Sequence, residues 1–207
     1  MQTQAPHSAA ASAVRASSAL LLDRFRAVRA QTMALVAPLS HETLLVHSCT
    51  DTSPAKWHLA HTTWFFETFV LSEFLAAYKP FHPDFRWLFN SYYNSLGELP
   101  EKKLRASFSR PPLADILAYR THVDAAIARL FESGPEYPAS AAALTRIALG
   151  LEHEQQHQEL IATDIKHALY TNPLHPAFSP QPTTPGDTIA PPLEWVEFEG
   201  GLTEIGF

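Results

Sequence analysis

Apolar positions recur at helical spacings over four long stretches of the chain. Between about Ala13 and Val36, Leu21, Leu22, Phe25, Val28 and Leu35 share one side of a helix that Pro38 closes. From Pro54 to about Ala77, Trp57, His61, Trp64, Phe65 and Thr68 fall at i, i+4, i+7, i+8 and i+11, with Ser53 placed to cap the start and Pro54 at the first helical position. Pro111-Pro112 opens a third stretch, carried by Leu113, Ile116, Leu117, Val123, Ile127 and Leu130 and closed by Gly134-Pro135. The fourth runs from about Ser140 to Tyr170, with Leu144, Ile147, Ala148, Leu151, Leu160, Ile161, Ile165 and Leu169 mostly three and four apart. Four such helices predict an all-α fold, a four-helix bundle over residues 13–171.

The pattern changes outside and between these helices. Residues 1–12 are low in complexity and read as a mobile tail. Tyr78 to Arg110 is a connection too long for a simple turn, and loops of that length in a domain usually carry function. Residues 172–192 are proline-rich and read as a semi-rigid linker. Residues 193–207 alternate apolar and polar around Gly200-Gly201, the signature of a β-hairpin that would open a second domain.

Composition narrows the function classes. The 207 residues are 46% hydrophobic and 17% charged, which suits a folded domain with a core. A net charge of −6 leaves no basic surface for nucleic acid or an anionic membrane. No apolar run reaches the roughly 18 residues of a membrane span, and the first residues lack the apolar core of a secretion signal. The single cysteine, Cys49, forms no internal disulfide, so the expected location is the cytoplasm. Eleven histidines are the unusual feature.

Two of them lie in Leu151-Glu152-His153-Glu154-Gln155-Gln156-His157-Gln158-Glu159-Leu160. On a helix His153 and His157 stack on one face, one turn apart, and Leu160 and Ile161 continue that face, so the pair is expected on the buried side and able to chelate a metal. The letters also match the zinc-peptidase motif, with Glu154 as general base, but no histidine on a later helix completes such a site, and Asp164 lies too far along the same helix. The better third ligand is His61, which shares its stripe with Trp57 and Trp64; His58 is turned to one side of that stripe, about a hundred degrees from Trp57, and reads as peripheral. Three imidazoles leave positions open on an ion, an arrangement suited to iron(II) that takes up substrate and oxygen together. Arg105 and Arg110, at the end of the long connection, could clamp a carboxylate. A bundle in which three histidines and zinc only stabilise the fold is the non-catalytic alternative.

Three segments in order, Ser53-Pro54-Ala55-Lys56-Trp57-His58-Leu59-Ala60-His61-Thr62-Thr63-Trp64-Phe65-Phe66-Glu67, then Phe89-Asn90-Ser91-Tyr92-Tyr93, then Glu152 to Leu160, resemble the N-terminal domain of the ergothioneine-biosynthesis sulfoxide synthases. The resemblance spans roughly residues 20–207 and implies a DinB-like four-helix bundle. Trp195-Val196-Glu197-Phe198-Glu199-Gly200-Gly201 resembles the entry into that family's second domain, of the formylglycine-generating-enzyme type. Carried over, the family's Fe(2+) ligands fall on His61, His153 and His157, and Gln156 matches a position that contacts hercynine. The implied reaction joins a thiol, γ-glutamylcysteine or cysteine, to hercynine with O2; family arginines bind the donor carboxylate, for which Arg105 and Arg110 are the candidates here. A related thiol- or selenol-histidine synthesis is the neighbouring alternative. In that family a tyrosine and further substrate contacts come from the second domain, so the resemblance implies that this chain alone binds metal but turns over feebly, and that a separate chain carrying the C-terminal domain could complete it.

Overall fold

The structure, a computed structural model, describes residues 6–91, 100–132, 140–179 and 191–204, with side chains from residue 17 onward. It is helical, and no strand occurs among the described residues. The order is α1 (Pro6–Val36), a 3-10 turn (Thr43–Leu45), α2 (Ala55–Phe66), a π-helical turn (Glu67–Leu71), α3 (Ser72–Phe74), α4 (Phe85–Leu88), a 3-10 segment (Lys102–Ser107), α5 (Leu113–Glu132) and α6 (Ala141–Thr171). α1 packs against α6 and α5, and α2 packs against α5 and α6.

α1 starts earlier than its apolar pattern. Of the expected mobile tail, residues 1–5 lie outside the described residues, and the helix begins at Pro6. Proline suits a first helical position, and the alanine-rich stretch that follows is a good helix former. α6 begins where its cap directs, with Ser140 Oγ accepting the Ala143 N–H at 3.2 Å. α2 differs from expectation in two ways. Pro54 takes the cap position, because Ser53 is used elsewhere, and every residue from Ala55 to Phe66 is buried, so the helix is central rather than one-faced.

Phe25 and Val28 of α1, Leu59, Trp64 and Phe66 of α2, Ile116, Tyr119, Val123 and Ile127 of α5, and Ile147, Leu151, Ile161 and Ile165 of α6 form one core. Full burial of each aliphatic side chain is worth roughly 1.5–3 kcal/mol. Gly150 sets the approach of α6 to α2: a Cβ there would stand 2.6 Å from Phe66 Cε1 and 3.0 Å from Phe65 Cε1. In the π-helical turn the Ser72 hydroxyl donates to the Glu67 carbonyl at 2.8 Å. The buried Glu67 carboxylate accepts from the Tyr78 and Tyr119 hydroxyls, each at 2.7 Å, which ties the end of α2 to the long connection and to α5.

The C-terminal expectations fare differently. Residues 180–190 of the linker lie outside the described residues, while 172–179 are exposed. Residues 191–204 carry no strand where a hairpin was expected, and Trp195 and Phe198 are 86% and 85% exposed. Two short strands are marginal without a sheet or helix to bury one face, and no such surface covers these residues among the described ones. No helix among the described residues is long and apolar enough to cross a membrane.

Candidate metal centre

The helix pair α2 and α6 carries three histidines to one point. His61 comes from the middle of α2, and His153 and His157 come from adjacent turns of α6. One ring nitrogen from each lies within 4.8 Å of the other two, a cluster able to hold a metal ion. Ring centroids are 4.6 Å apart for His153 and His157, 4.8 Å for His61 and His157, and 5.1 Å for His61 and His153.

The donor chemistry fits a cation. His61 Nδ1 lies 2.6 Å from the Phe89 carbonyl; the carbonyl can only accept, so Nδ1 carries the hydrogen and Nε2 keeps its lone pair. His153 Nδ1 is buried with no hydrogen-bond partner, a polar atom that a metal bond would satisfy. Burial holds all three rings neutral: it lowers the His61 pKa well below its ordinary value, helped by the repulsion that a second protonated ring at His153 would exert, and takes His153 down to about 4. His157 falls further, through burial and then the neighbouring His61, His58 and His153. Neutral imidazoles are the ligand form, so the cluster needs no deprotonation at neutral pH.

Aromatic rings wall the site. Trp57 stacks on His61 with centroids 4.5 Å apart and planes 12° apart; Trp64 stacks on His61 at 5.2 Å and 16°. The stripe read from the sequence is therefore a stack that fixes the His61 ring. Phe65 lies 4.9 Å from His153.

Arg105 and Arg110 have separate fates. Arg105 is buried at 8% exposure, with its guanidinium carbon 3.5 Å above the Trp57 ring and Nη1 donating to Ser53 Oγ at 2.9 Å. No carboxylate among the described residues pairs with it, and burial lowers its pKa to about 10. A buried guanidinium with, among the described residues, a hydroxyl and an aromatic face beside it is a place for an incoming anion. Arg110 is exposed and, among the described residues, makes one weak bond, to the Ser109 carbonyl at 3.5 Å, away from the cluster. Gln156 is exposed, three residues from His153 on the rim of the histidine face. Ile161 continues that face at 1% exposure, whereas Leu160 is 39% exposed and does not. Tyr92, Tyr93 and Asn94 lie outside the described residues.

Glu154 turns to a different side of α6. One residue past His153 on a helix is about a hundred degrees round, and there the carboxylate is fully buried. It accepts from Arg29 Nη1 at 2.9 Å, Arg120 Nη2 at 2.7 Å and Thr32 Oγ1 at 2.7 Å. Burial alone would raise its pKa; the Arg29 and Arg120 charges outweigh that and bring it to about 2. It is a strut joining α1, α5 and α6, and it cannot serve as a peptidase base.

His58, read as peripheral, touches the site. Its Nδ1 lies 2.7 Å from His157 Nδ1, and its Nε2 lies 3.0 Å from Asp164 Oδ2. Ser53 N–H also donates to Asp164 Oδ2, at 2.8 Å, while its hydroxyl, the group that would cap α2, accepts from Arg105. The sequence signal was present: Asp164 lies seven residues after His157, two turns along the same face of α6.

Residues 24–161 match the family model of the DinB superfamily. No curated protein matches the chain.

Proposed function

The chain belongs to the DinB superfamily, and from that premise we propose that His61, His153 and His157 hold iron(II) in an O2-dependent sulfoxide synthase domain of ergothioneine biosynthesis. The substrates are hercynine and a thiol, γ-glutamylcysteine or cysteine. The observation that carries this reading is the convergence of three neutral, inward-facing imidazoles from the same two segments that resemble the sulfoxide synthases. Iron(II) bound there would supply oxygen activation for joining sulfur to an imidazole carbon.

The chain's own residues divide the remaining work. Arg105, held by Ser53 and the Trp57 face, receives the carboxylate of the thiol donor beside the histidines. Gln156, on the rim next to His157, contacts hercynine. Trp57 and Trp64 keep His61 in place and keep water from its flanks. Much of the rate comes from holding the two substrates side by side. The four long helices are the family's four-helix bundle, working in the cytoplasm with no nucleic-acid or membrane partner, and a C-terminal-domain chain supplies the remaining substrate contacts.

Anaerobic iron(II) titration of the wild type and of His61→Ala tests the centre. Binding near one iron per chain in the wild type and its loss in the variant are expected. Equal binding by both removes His61 from the site. Turnover of hercynine, thiol donor and O2, assayed with a second-domain chain, separates the synthase from a bundle that only stores structure around zinc.

A further inference from the structure

Three hydrogen-bonded groups run in line behind one metal-facing ring. A carboxylate oxygen can only accept, so Asp164 Oδ2, which takes the Ser53 N–H at 2.8 Å, also accepts from the His58 Nε2 that faces it at 3.0 Å. A neutral His58 with its hydrogen on Nε2 has a bare Nδ1. That Nδ1 faces His157 Nδ1 at 2.7 Å, and one of the two must carry a hydrogen. It is therefore His157 that donates, and His157 Nε2 is left with its lone pair.

We infer that His58 and Asp164 are positioning residues that lock His157 in the tautomer with Nδ1 protonated and Nε2 free to bind metal. Neither belongs to the three-histidine cluster, and both are in the interior: His58 is 3% exposed and the Asp164 side chain 11%. The lock matters because the alternative tautomer of His157 turns an N–H towards the ion. His61 is locked separately, by the Phe89 carbonyl, whereas His157 depends on a side-chain relay that mutation can break. Partners of this kind typically set metal affinity by ten- to a hundredfold. The inference rests on the metal reading for its purpose, but the tautomer can be read without any metal.

The test uses the whole chain with 15N-labelled histidine, metal-free, with the His157 signals assigned by their absence in His157→Gln. Long-range proton–nitrogen spectra are expected to show His157 with hydrogen on Nδ1. In H58F that preference is lost and zinc affinity, measured by competition with a chromophoric chelator, falls roughly ten- to a hundredfold. In H58Q the amide oxygen can accept the same hydrogen, so tautomer and most of the affinity return; a merely structural role would not distinguish these variants. A wild-type His157 protonated on Nε2 overturns the inference even if no variant folds. So does an H58F protein with wild-type tautomer and affinity. A wild type with the expected tautomer that binds no metal supports the lock and sinks the metal reading instead.

Discussion

Glu154 and Arg120 meet at 2.7 Å in the interior of the helices, with the carboxylate fully buried and the guanidinium nearly so. Arg29 reaches the same carboxylate at 2.9 Å and Asp124 at 2.7 Å, so four charges from α1, α5 and α6 neutralise one another, three of them buried and Asp124 partly exposed. Removing one partner of such a group costs about 3–5 kcal/mol, because the others stay buried and unpaired. Glu154→Gln is therefore expected to lower stability by that amount in urea denaturation. Its folded fraction should still bind one equivalent of iron, because the side chain faces away from the histidines. A loss under about 1 kcal/mol would show that the cluster is not held as described.

Arg105 and Arg110 were equal candidates from sequence and are unequal in the structure. Charge-assisted hydrogen bonds contribute about 1.5–3 kcal/mol, so Arg105→Ala should weaken the apparent affinity for a carboxylate-bearing thiol donor roughly ten- to a hundredfold. Arg110→Ala, which alters an exposed side chain, should leave it within about twofold. Donor titrations by KM, or by calorimetry on the metal-loaded protein, compare the two. Equal effects would place the anion elsewhere.

The histidine triad was legible because helix periodicity places side chains by arithmetic. His153 and His157 had to share a face, and His61 had to share one with Trp57 and Trp64. The partners behind them were not legible by the same rule. His58 sits about 60° round α2 from His61, and it matters only because an imidazole has a second nitrogen that must go somewhere. Arg29 and Arg120 lie beside the apolar stripes of their helices, where a charge reads as surface unless its buried counter-charge is known. The π-helical turn at Glu67 has no periodic signal, since it depends on Ser72 and on Tyr78 and Tyr119 arriving from elsewhere. For residues 191–204 the alternating pattern describes a strand only when a sheet is there to receive it.

Gly150 carries a packing prediction. Alanine would gain about 1 kcal/mol in helix propensity, but its Cβ would meet Phe66 Cε1 at 2.6 Å. Phe66 has no exposure and packs edge-on to Phe25 at 5.1 Å, so its ring has little room to yield. Overpacking costs of about 1–3 kcal/mol then outweigh the propensity gain. Gly150→Ala should lower the melting temperature, and adding Phe66→Leu should recover part of the loss through a favourable coupling in the double-mutant cycle.

The metal-free protein should lose stability on mild acidification, and the sign follows from which state takes up protons. His58, His61, His153 and His157 all have pKa values lowered on folding from an ordinary 6.5, chiefly by burial. Below that pH the unfolded chain binds protons that the native state refuses, so unfolding becomes easier as pH falls and is unaffected above it. Each neutral histidine contributes a slope of about 1.4 kcal/mol per pH unit, which for His153 ends near its folded value of about 4. Glu154 adds a second, lower window: its pKa is lowered from 4.5 to about 2, so the stability it gives is present above the higher value and lost on approach to the lower. Urea denaturation at stepped pH should thus show a steep fall from about 6.5 towards 4, and His153→Phe should flatten it by one histidine's share. Bound metal would hold the rings against protons and move the fall to lower pH. A metal-free stability that stays level between pH 7 and 5 would mean that the four rings take up protons in the native state as readily as in the unfolded chain.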